Sequence, residues 1–249
     1  MMLEWLGLPV AAAADAARID RILVLVHWLM LVLFAGWGLF FVYVLVRFRR
    51  SANPVASYAG VRGRWATLVE GGVLAAEVAL LVFFSIPAWS ARVDAFPPEA
   101  DSTVVRVVAE QYAWNIHYPG EDRVFGRTAL ALVAADNPLG MDRTDPASRD
   151  DVTTINQLHL PVNRSVIVYL TSKDVVHSFA MPQMRVKQDV IPGTVQPVWF
   201  TPTQTGEWEI ACSQLCGLAH YRMKAFYTVQ ADEDFRAWLA GEQASTTRP

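Results

Sequence analysis

The chain has 249 residues, enough for one or two domains, with 53% hydrophobic residues, a positive mean hydropathy and a formal net charge of -3. This hydrophobic content is high for a soluble protein, and it is not spread evenly along the chain. From Asp94 onward the chain is acidic, with 19 Asp and Glu against 13 Lys and Arg. Such a balance disfavours nucleic acid as a partner and favours a basic partner that arrives by electrostatic steering.

Two apolar stretches predict a helical hairpin that crosses a membrane twice. The first, residues 22–46, contains no Asp, Glu, Lys or Arg and exceeds the roughly 20 residues that span a bilayer core. The second, residues 66–89, is also long enough, but it contains Glu70 and Glu77. A carboxylate in lipid is costly unless it faces protein or water, so these two side chains need an explanation.

The segment between the two apolar stretches is basic. It contains five arginines and no acidic residue, and short basic loops remain on the cytoplasmic side of a membrane. We therefore predict that both ends of the chain lie outside. The arginines are Arg47, Arg49, Arg50, Arg62 and Arg64.

The first residues leave one question open. They end in small residues, as signal-peptide cleavage sites do. Their first part, however, contains Glu4 and lacks the Lys or Arg that a signal peptide has there. A cleaved signal and a retained segment both fit this pattern. The predicted organisation is an outer N-terminal segment of residues 1–21, a transmembrane helical hairpin of residues 22–93 and an outer domain of residues 94–249.

The outer domain has the pattern of an all-β sandwich or barrel. Segments rich in β-branched and aromatic residues alternate with turn residues, and residues 134–151 are typical of a long surface excursion. A terminal helix is predicted with Asp232 as its N-cap and with Phe235, Trp238 and Leu239 on its apolar face. The strand-like segments are residues 103–118, 164–172, 194–202, 206–212 and 223–230.

The stretch ACSQLCGLAHYRM, residues 211–223, contains both cysteines of the chain. An oxidising outer compartment favours a disulfide between Cys212 and Cys216. In an extended strand these residues would lie about 13 Å apart, so a bond requires a tight loop, which Gly217 would help to form. A disulfide would leave His220 and Met223 unexplained.

A metal site is the alternative to a disulfide. Zinc has little use for a thioether, whereas thiolate, imidazole and methionine together are a soft donor set that suits copper. A mononuclear blue-copper site uses one cysteine and two histidines, while two thiolates can bridge two copper ions with one imidazole for each. The second imidazole is best placed at His177, because His27 lies in a predicted span and His117 and His159 have ordinary strand or loop contexts.

These residues resemble subunit II of the haem-copper cytochrome c oxidases. The resemblance covers nearly the whole chain: the two spans, the segments EQYAWNIHYPG, DVVHSF, RVKQDVIPG and GEWEIACSQLCGLAHYRM, and the final helix. It implies a cupredoxin-like Greek-key domain with a binuclear copper centre, CuA. By this resemblance, Cys212 and Cys216 bridge the coppers. His177 and Met223 complete one copper, and His220 and the backbone carbonyl of Gln214 complete the other.

The resemblance also implies a function. The chain would be the electron-input subunit of a terminal oxidase, accepting electrons from a c-type cytochrome or a cytochrome-containing donor complex. It would pass them to haem in oxidase subunit I, where oxygen is reduced to water and protons are translocated. The implied partners are subunit I, other oxidase subunits and membrane lipid, and the implied location is a bacterial inner membrane with the copper domain on the periplasmic side. The segment RVKQDV, residues 185–190, is expected at the interface with subunit I.

Four positions have separate expectations. Many relatives have Glu at the position of Gln214, where its carboxylate binds a magnesium or manganese ion, so the shared metal site is expected to be altered or absent. Tyr112 replaces the tryptophan through which electrons enter in many relatives, and Trp114 either packs the core or carries electrons. Glu70 lies where relatives have the entrance of a proton channel, although at this depth it can also reach the headgroups.

Other functions fit the sequence less well. A quinol oxidase subunit would lack the copper donors, and a nitrous-oxide reductase domain would be soluble and fused to a propeller. A fused c-type haem would require C-x-x-C-H, which the chain does not contain, so no covalent haem is expected. A copper chaperone would not need two membrane spans.

Overall fold

Two long apolar helices form the first part of the chain. The computed structural model describes residues 5–56, 58, 60 and 63–246, so Glu4 and Arg62 lie outside the described residues. Helix α1 is Ala16–Arg47, and helix α2 is Arg64–Leu80. The second helix continues through a π-helical turn to Val93, and both helices are long and apolar enough to cross a membrane, as predicted.

A local widening interrupts the second long helix. The five residues Leu81–Ser85 form a π-helical turn, after which helix α3 runs over Ile86–Val93 with Pro87 at its start. A proline inside a helix lacks the N–H that would bond to the carbonyl four residues earlier, and its ring clashes with that carbonyl. A wider turn relieves this clash, which explains why the π turn lies directly before the proline.

The outer domain is a sandwich of two five-stranded sheets, which confirms the predicted all-β fold. The first sheet has the strand order β3-β2-β1-β5-β8 and the second has the order β4-β10-β9-β6-β7. The pairs β1 with β5 and β4 with β10 are parallel, and the remaining pairs are antiparallel. The strands are β1 (Thr103–Glu110), β2 (Ala113–Tyr118), β3 (Val152–Ile155), β4 (Gln157–Pro161), β5 (Val166–Ser172), β6 (His177–Met181), β7 (Val186–Val190), β8 (Gln196–Phe200), β9 (Gly206–Cys212) and β10 (Lys224–Gln230).

Alternation along the strands determines which side chains enter the core. In β1 the side chains of Val105, Val107 and Ala109 are buried between the sheets, whereas Arg106 points away from them. The residues of β6 are buried on both faces, so this strand has no alternating pattern that the sequence analysis could have used. The largest fully buried side chains of the domain include Trp114, Tyr118, Phe179, Phe200 and Tyr227.

A long excursion connects β2 to β3, and it is longer than predicted because it begins directly after Tyr118. Its last residue, Asp151, is buried and accepts a hydrogen bond from the backbone of Gly126 at 2.8 Å. The same carboxylate lies 2.6 Å from Nε2 of His117 on β2, and Phe125 covers the imidazole edge to face. His117 therefore fastens the excursion to the sheet, which is the ordinary role expected for it.

The predicted final helix, α4, runs over Asp232–Thr246. Its first backbone bond runs from Phe235 N to Ala231 O, so Asp232 is the first helical residue and not the N-cap. Phe235 is buried, and Trp238 packs edge to face against Tyr118. The indole of Trp238 also stacks on His159 with ring centroids 4.0 Å apart. The helix thus covers one end of the sandwich, and His159 serves in packing.

The residues Pro9–Ala16 form a compact unit with the outer domain, and we call them the N-terminal strap. The side chains of Ala12, Ala13 and Ala16 are buried in the core of the domain. The strap is held by backbone bonds, among them Ala12 N to Gln183 O at 2.9 Å and Thr203 N to Ala12 O at 2.8 Å. The small residues that resemble a cleavage site therefore serve as packing residues in this fold.

Candidate metal centre

The two cysteines lie at the end of a strand and in the loop that follows it. Cys212 is the last residue of β9, and the chain then turns so that the sulfur of Cys216 lies 3.8 Å from that of Cys212. Both thiols are free and buried. The tight loop that the sequence analysis required is present, with Gly217 at a φ of +134°.

His177 approaches the cysteines from the neighbouring strand. It is the first residue of β6, its side chain is wholly buried, and its Nδ1 lies 3.9 Å from the sulfur of Cys212. Its other nitrogen, Nε2, donates to a carboxylate oxygen of Asp174 at 2.9 Å. Because that bond occupies Nε2, the lone pair of Nδ1 faces the thiols, which is the usual arrangement for a metal-binding histidine.

Two of the other predicted donors, His220 and Met223, lie beside the second cysteine. Nδ1 of His220 lies 3.6 Å from the sulfur of Cys216, and the sulfur of Met223 lies 3.7 Å from it. His220 begins a short 3-10 turn that ends at Arg222, and this turn directs Met223 inward, where it is buried. The loop therefore brings an imidazole and a thioether close to the sulfur of Cys216.

The backbone carbonyl of Gln214 lies in the site, whereas its side-chain amide lies at the surface. Its backbone carbonyl oxygen lies 3.2 Å from the sulfur of Cys212, within the donor cluster. Its side chain is exposed. The carbonyl can therefore act as a donor whatever the side chain is, and only the exposed part distinguishes Gln from Glu at this position.

The two thiols differ in acidity. Burial alone would raise the pKa of Cys212, but its contact with His177 and the hydrogen bond with the backbone of Ser178 lower this pKa overall. Burial raises the pKa of Cys216, and the negative charge of Cys212 raises it further. Cys212 is therefore the more acidic of the two thiols, and thiolates rather than thiols bind metals.

Opposing effects also act on the pKa of His177. Burial alone would lower it, but hydrogen bonds to Cys212 and Asp174 raise it overall. The pKa of Asp174 is lowered despite burial, because its carboxylate accepts hydrogen bonds from His177 and from the backbone of Gln111. The strand side of the site is thus a chain of charge-assisted contacts.

The donor set fits a soft metal. Donor atoms of His177, Cys212 and Cys216 all lie within 4.8 Å of one another, a spacing at which one ion can contact all three. Metal–thiolate bonds are about 2.3 Å long, so an ion between the two sulfurs can reach both. The thioether of Met223 adds a donor that copper accepts and zinc does not need.

The two predicted electron-transfer aromatics lie against this centre in different ways. Tyr112 is half-buried, and a Cβ at Gly217 would lie 2.6 Å from its hydroxyl oxygen, so this ring closes over the cysteine loop. Trp114 is fully buried and contacts Phe179 and His177, with ring centroids 5.5 and 6.1 Å away. Core packing is thus an observed role of Trp114, and its ring also lies beside the candidate metal donor His177.

The carboxylates of the second long helix lie away from this centre in the chain. Glu70 is exposed on α2 near the start of that helix. Glu77 is exposed as well and lines a groove of about 320 Å³ together with residues of α1 such as Leu29 and Leu33. Both side chains remain available to a neighbouring subunit.

Sequence reasoning missed two residues that support the site. Asp174 orients His177, and Gln111 donates from its side chain to the carbonyl of Cys216 at 2.6 Å and from its backbone to Asp174 at 2.7 Å. An acid three residues before a metal-binding histidine is a usable signal, since such histidines usually donate to a carboxylate. Nothing in the sequence indicates the contact between Gln111 and Cys216, which are 105 residues apart.

Fold and site together define a class of protein. A β-sandwich on which two thiols, two imidazoles and a thioether converge has the donor set of a soft-metal-binding domain, and here it is preceded by two apolar helices. Residues 103–229 match the family model "Cytochrome C oxidase subunit II, periplasmic domain". The chain belongs to this family, so it is a subunit of an oxidoreductase.

Individual relatives agree with the family match. The chain is 34% identical over 245 residues to the alternative cytochrome c oxidase subunit 2 of Bradyrhizobium diazoefficiens, a match that covers 97% of this chain and 85% of the relative. It is 31% identical over 241 residues to cytochrome c oxidase subunit 2 of Cereibacter sphaeroides, covering 89% and 77%. Among solved structures, the periplasmic domain of subunit II of cytochrome oxidase of Bradyrhizobium japonicum is 27% identical, covers 61% of this chain and 99% of that domain, and has a TM-score of 0.45.

Proposed function

We propose that the centre binds two copper ions and relays electrons into a terminal oxidase. The bridging groups would be Cys212 and Cys216. His177 and Met223 would complete one copper, and His220 and the carbonyl of Gln214 the other. When bound, the copper pair supplies a one-electron redox centre whose unpaired electron is shared between two metals.

One observation carries this proposal. The two sulfurs lie 3.8 Å apart, and a different imidazole approaches each of them, His177 at 3.9 Å and His220 at 3.6 Å. A disulfide would not need either histidine. A single zinc ion would leave Met223 and the carbonyl of Gln214 without a purpose.

The protein's own residues limit movement at the centre. His177 is fixed by the strand that carries it and by Asp174, and Cys212 is fixed by the end of β9. Rigid placement of this kind suits electron transfer, because donors that hardly move between oxidation states require little rearrangement. The hydrogen bond from Gln111 to the carbonyl of Cys216 holds the loop in the same way.

A surface for an electron donor lies beside the centre. Leu215, Leu218 and Tyr221 are 76%, 95% and 85% exposed, although they are large apolar or aromatic side chains of the cysteine loop. Exposed apolar groups within an acidic domain favour a partner with a basic rim and an apolar centre. We assign this surface to a c-type cytochrome or a cytochrome-containing complex, with Tyr112 as the ring through which electrons enter.

The further partners follow from family membership. A subunit II passes electrons to haem in subunit I, where oxygen is reduced to water and protons are translocated. We place residues 185–190 at that interface and Glu70 at the entrance of a proton channel. Because Gln214 presents a neutral amide, we infer that the shared magnesium or manganese site is altered or absent. The two apolar helices would anchor the chain in a bacterial inner membrane with the copper domain on the periplasmic side.

The proposal is tested by counting copper and recording the electron paramagnetic resonance spectrum of the full-length, copper-loaded chain. Two coppers per chain with one shared unpaired electron, seen as a seven-line hyperfine pattern or its unresolved narrow envelope, is the expected result. One copper per chain with a four-line signal would overturn the binuclear assignment. A chain that binds no copper after full reduction of its thiols would overturn the copper assignment as a whole.

A further inference from the structure

The outer domain has a second concave site away from the metal centre. It is a cavity of about 960 Å³ that contains none of the metal donors among its lining residues. Part of its floor is the outward face of β1 and β5, where Val104, Arg106 and Tyr169 point away from the core of the sandwich. Leu239 of α4 lines it as well. Cavities of this size hold small organic molecules.

The charge of this cavity is opposite to that of its domain. Its lining includes Arg106, Arg123, Arg164 and Arg236 but only two acidic residues, Glu99 and Glu121. From Asp94 onward the chain has 13 basic against 19 acidic residues, so nearly a third of the basic residues line one cavity. Such a concentration of guanidinium groups attracts anions and repels cations.

Most of these charged groups already have partners. Arg123 donates to the backbone carbonyls of residues 99, 100 and 102, and this interaction fixes the cavity wall. One of the two acidic residues is also paired, since Glu99 accepts a hydrogen bond from the hydroxyl of Tyr169. Arg164 and Arg236 both lie near a single carboxylate, that of Asp232. These two arginines share one negative charge and retain an excess of positive charge.

Arg106 differs from the other three. Its guanidinium lies over the ring of Phe125, 3.9 Å from the ring centroid, and among the described residues it has neither a hydrogen bond nor an ion pair. Partial burial lowers its pKa, although the charge of nearby Asp151 opposes this effect. An arginine in a protein nevertheless stays protonated, so the cavity holds a partly desolvated cation with five unused donors.

The rest of the lining is apolar. Val104, Val108 and Val195 lie on the strand side, and Phe235 and Leu239 lie on the helix side. Val195 is 62% exposed, which places an apolar side chain in solvent unless something covers it. A ligand that contacted both the arginines and the apolar side chains of the cavity would therefore have an anionic head group and an apolar body.

We propose that this cavity binds a small organic anion whose phosphate or carboxylate head is bonded by Arg106 and whose apolar body lies on the valines. Arg164 and Arg236 add to the electrostatic attraction while they stay paired with Asp232. The planar fork of Arg106 matches the geometry of either oxyanion, and stacking on Phe125 holds the fork in place. A short-chain lipid and a soluble organic phosphate share this chemistry.

The test is isothermal titration of the full-length chain in a nonionic detergent. Four probes distinguish the contribution of the anionic head group, the contribution of the apolar body, and a lipid from a soluble compound. They are hexyl phosphate, hexanoate, inorganic phosphate and dihexanoyl phosphatidic acid. We expect saturable binding of hexyl phosphate with one site per chain, and inorganic phosphate about tenfold weaker because it buries no hydrocarbon. Tighter binding of the phosphatidic acid would identify a lipid as the source, and tighter binding of hexyl phosphate a soluble compound.

Variants decide whether Arg106 is the residue responsible. Arg106→Gln should weaken hexyl phosphate binding about tenfold or more, since a charge-assisted bidentate contact is lost. Arg143→Gln is the matched control, because Arg143 is an exposed arginine of the excursion that does not line the cavity, and its effect should stay within about twofold. Arg106→Lys keeps the charge and should give an intermediate affinity, which retains the test if the Gln variant does not fold.

Two results would overturn the proposal. One is a folded Arg106→Gln or Arg106→Lys variant that binds hexyl phosphate as tightly as the unmodified chain. The other is a titration in which none of the four probes shows saturable binding at concentrations up to about 10 mM. Neither result would bear on the copper centre, whose spectrum is measured separately.

Discussion

The metal centre has two halves that are built differently. His177 and Cys212 lie on neighbouring strands, and His177 is wholly buried and oriented by Asp174. Cys216 and His220 lie in a loop beside Leu218, which is 95% exposed. The strand half restrains the donors, while the loop half carries the surface that a partner can reach. The proposed electron relay would need both properties.

The same division is visible in the protonation of the thiols. Cys212, in the strand half, has a lowered pKa because His177 and the backbone stabilise its thiolate. Cys216, in the loop half, has a raised pKa because burial and the thiolate of Cys212 both disfavour a second negative charge. We therefore expect a metal to engage the strand half first and the loop half second.

The largest effect should follow from removing the bridge in the loop half. In Cys216→Ser the strand half keeps His177 and Cys212, but no second thiolate remains to join two metals. We expect loss of the shared-electron spectrum and at most one copper per chain. Ser213→Ala, a change of an exposed side chain between the cysteines, should leave both measurements unchanged. A shared-electron spectrum in the serine variant would show that the loop half does not supply a bridge.

A substitution outside the site, in the N-terminal strap, should also destabilise the strands that carry the strand half. The turn between β6 and β7 is held by the N-terminal strap through the bond from Ala12 to Gln183. Ala12→Asp would place a carboxylate in the core and should destabilise the domain by more than about 3 kcal/mol. A change of this size lowers the thermal midpoint of a domain of this length by about 10 °C.

The control for this prediction lies two residues along the strap. Ala14 is exposed, so Ala14→Asp leaves the backbone bonds of the strap intact and keeps the new charge in water. Its thermal midpoint should lie within about 2 °C of that of the unmodified chain. Equal midpoints for the Ala12 and Ala14 variants would mean that the strap does not support the domain.

A smaller effect is expected from weakening the orientation of His177. In Asp174→Asn the amide oxygen can still accept from Nε2, but the negative charge is lost. Copper affinity should fall about 10- to 100-fold, the usual range for such supporting residues. Asp189→Asn changes an exposed carboxylate on the neighbouring strand and should have no such effect. Unaltered copper affinity in the Asp174 variant would mean that this carboxylate does not support the strand half.

The pH dependence of copper uptake sharpens this test. The pKa of His177 is raised overall, and the bond to Asp174 is one of the causes. A protonated imidazole cannot bind metal, so uptake should be lost as the pH falls through the pKa of His177. Removing the charge of Asp174 lowers that pKa, and the acid limit of uptake should therefore move to lower pH. A purely structural role of Asp174 would not shift the limit.

The smallest effect on copper should come from the exposed side chain of the loop half. Gln214→Glu leaves the backbone carbonyl in place, so the copper spectrum and stoichiometry should not change. In the assembled oxidase the new carboxylate should raise affinity for manganese, measured by the resonance signal of bound Mn²⁺. An altered copper spectrum would mean that the side chain at position 214 contributes to the centre directly.

The sequence by itself determined the class of the protein. Residues 22–46 predict a membrane helix by length and lack of charge, the period-two segments predict the sandwich, and the spacing of Cys212, Cys216, His220 and Met223 predicts a soft-metal loop. These features were readable because they are local: hydrophobic length, alternation and ligand spacing each lie within one segment. The family membership that they indicate is confirmed by the comparisons, and the assignment of copper to particular residues stays a prediction.

Only the tertiary structure decided what surrounds those segments. The fully buried strand β6 has no alternation to reveal it, so the approach of His177 to Cys212 depends on the pairing of β6 with β9. The burial of Ala12 depends on where the strap returns to the domain, and its small residues fit a cleavage site equally well as a local pattern. The exposure of Arg106 to a cavity likewise depends on two strands and a distant helix. Contacts between segments far apart in the chain leave no periodic trace in either one, because each segment satisfies its own local rules whichever partner it meets.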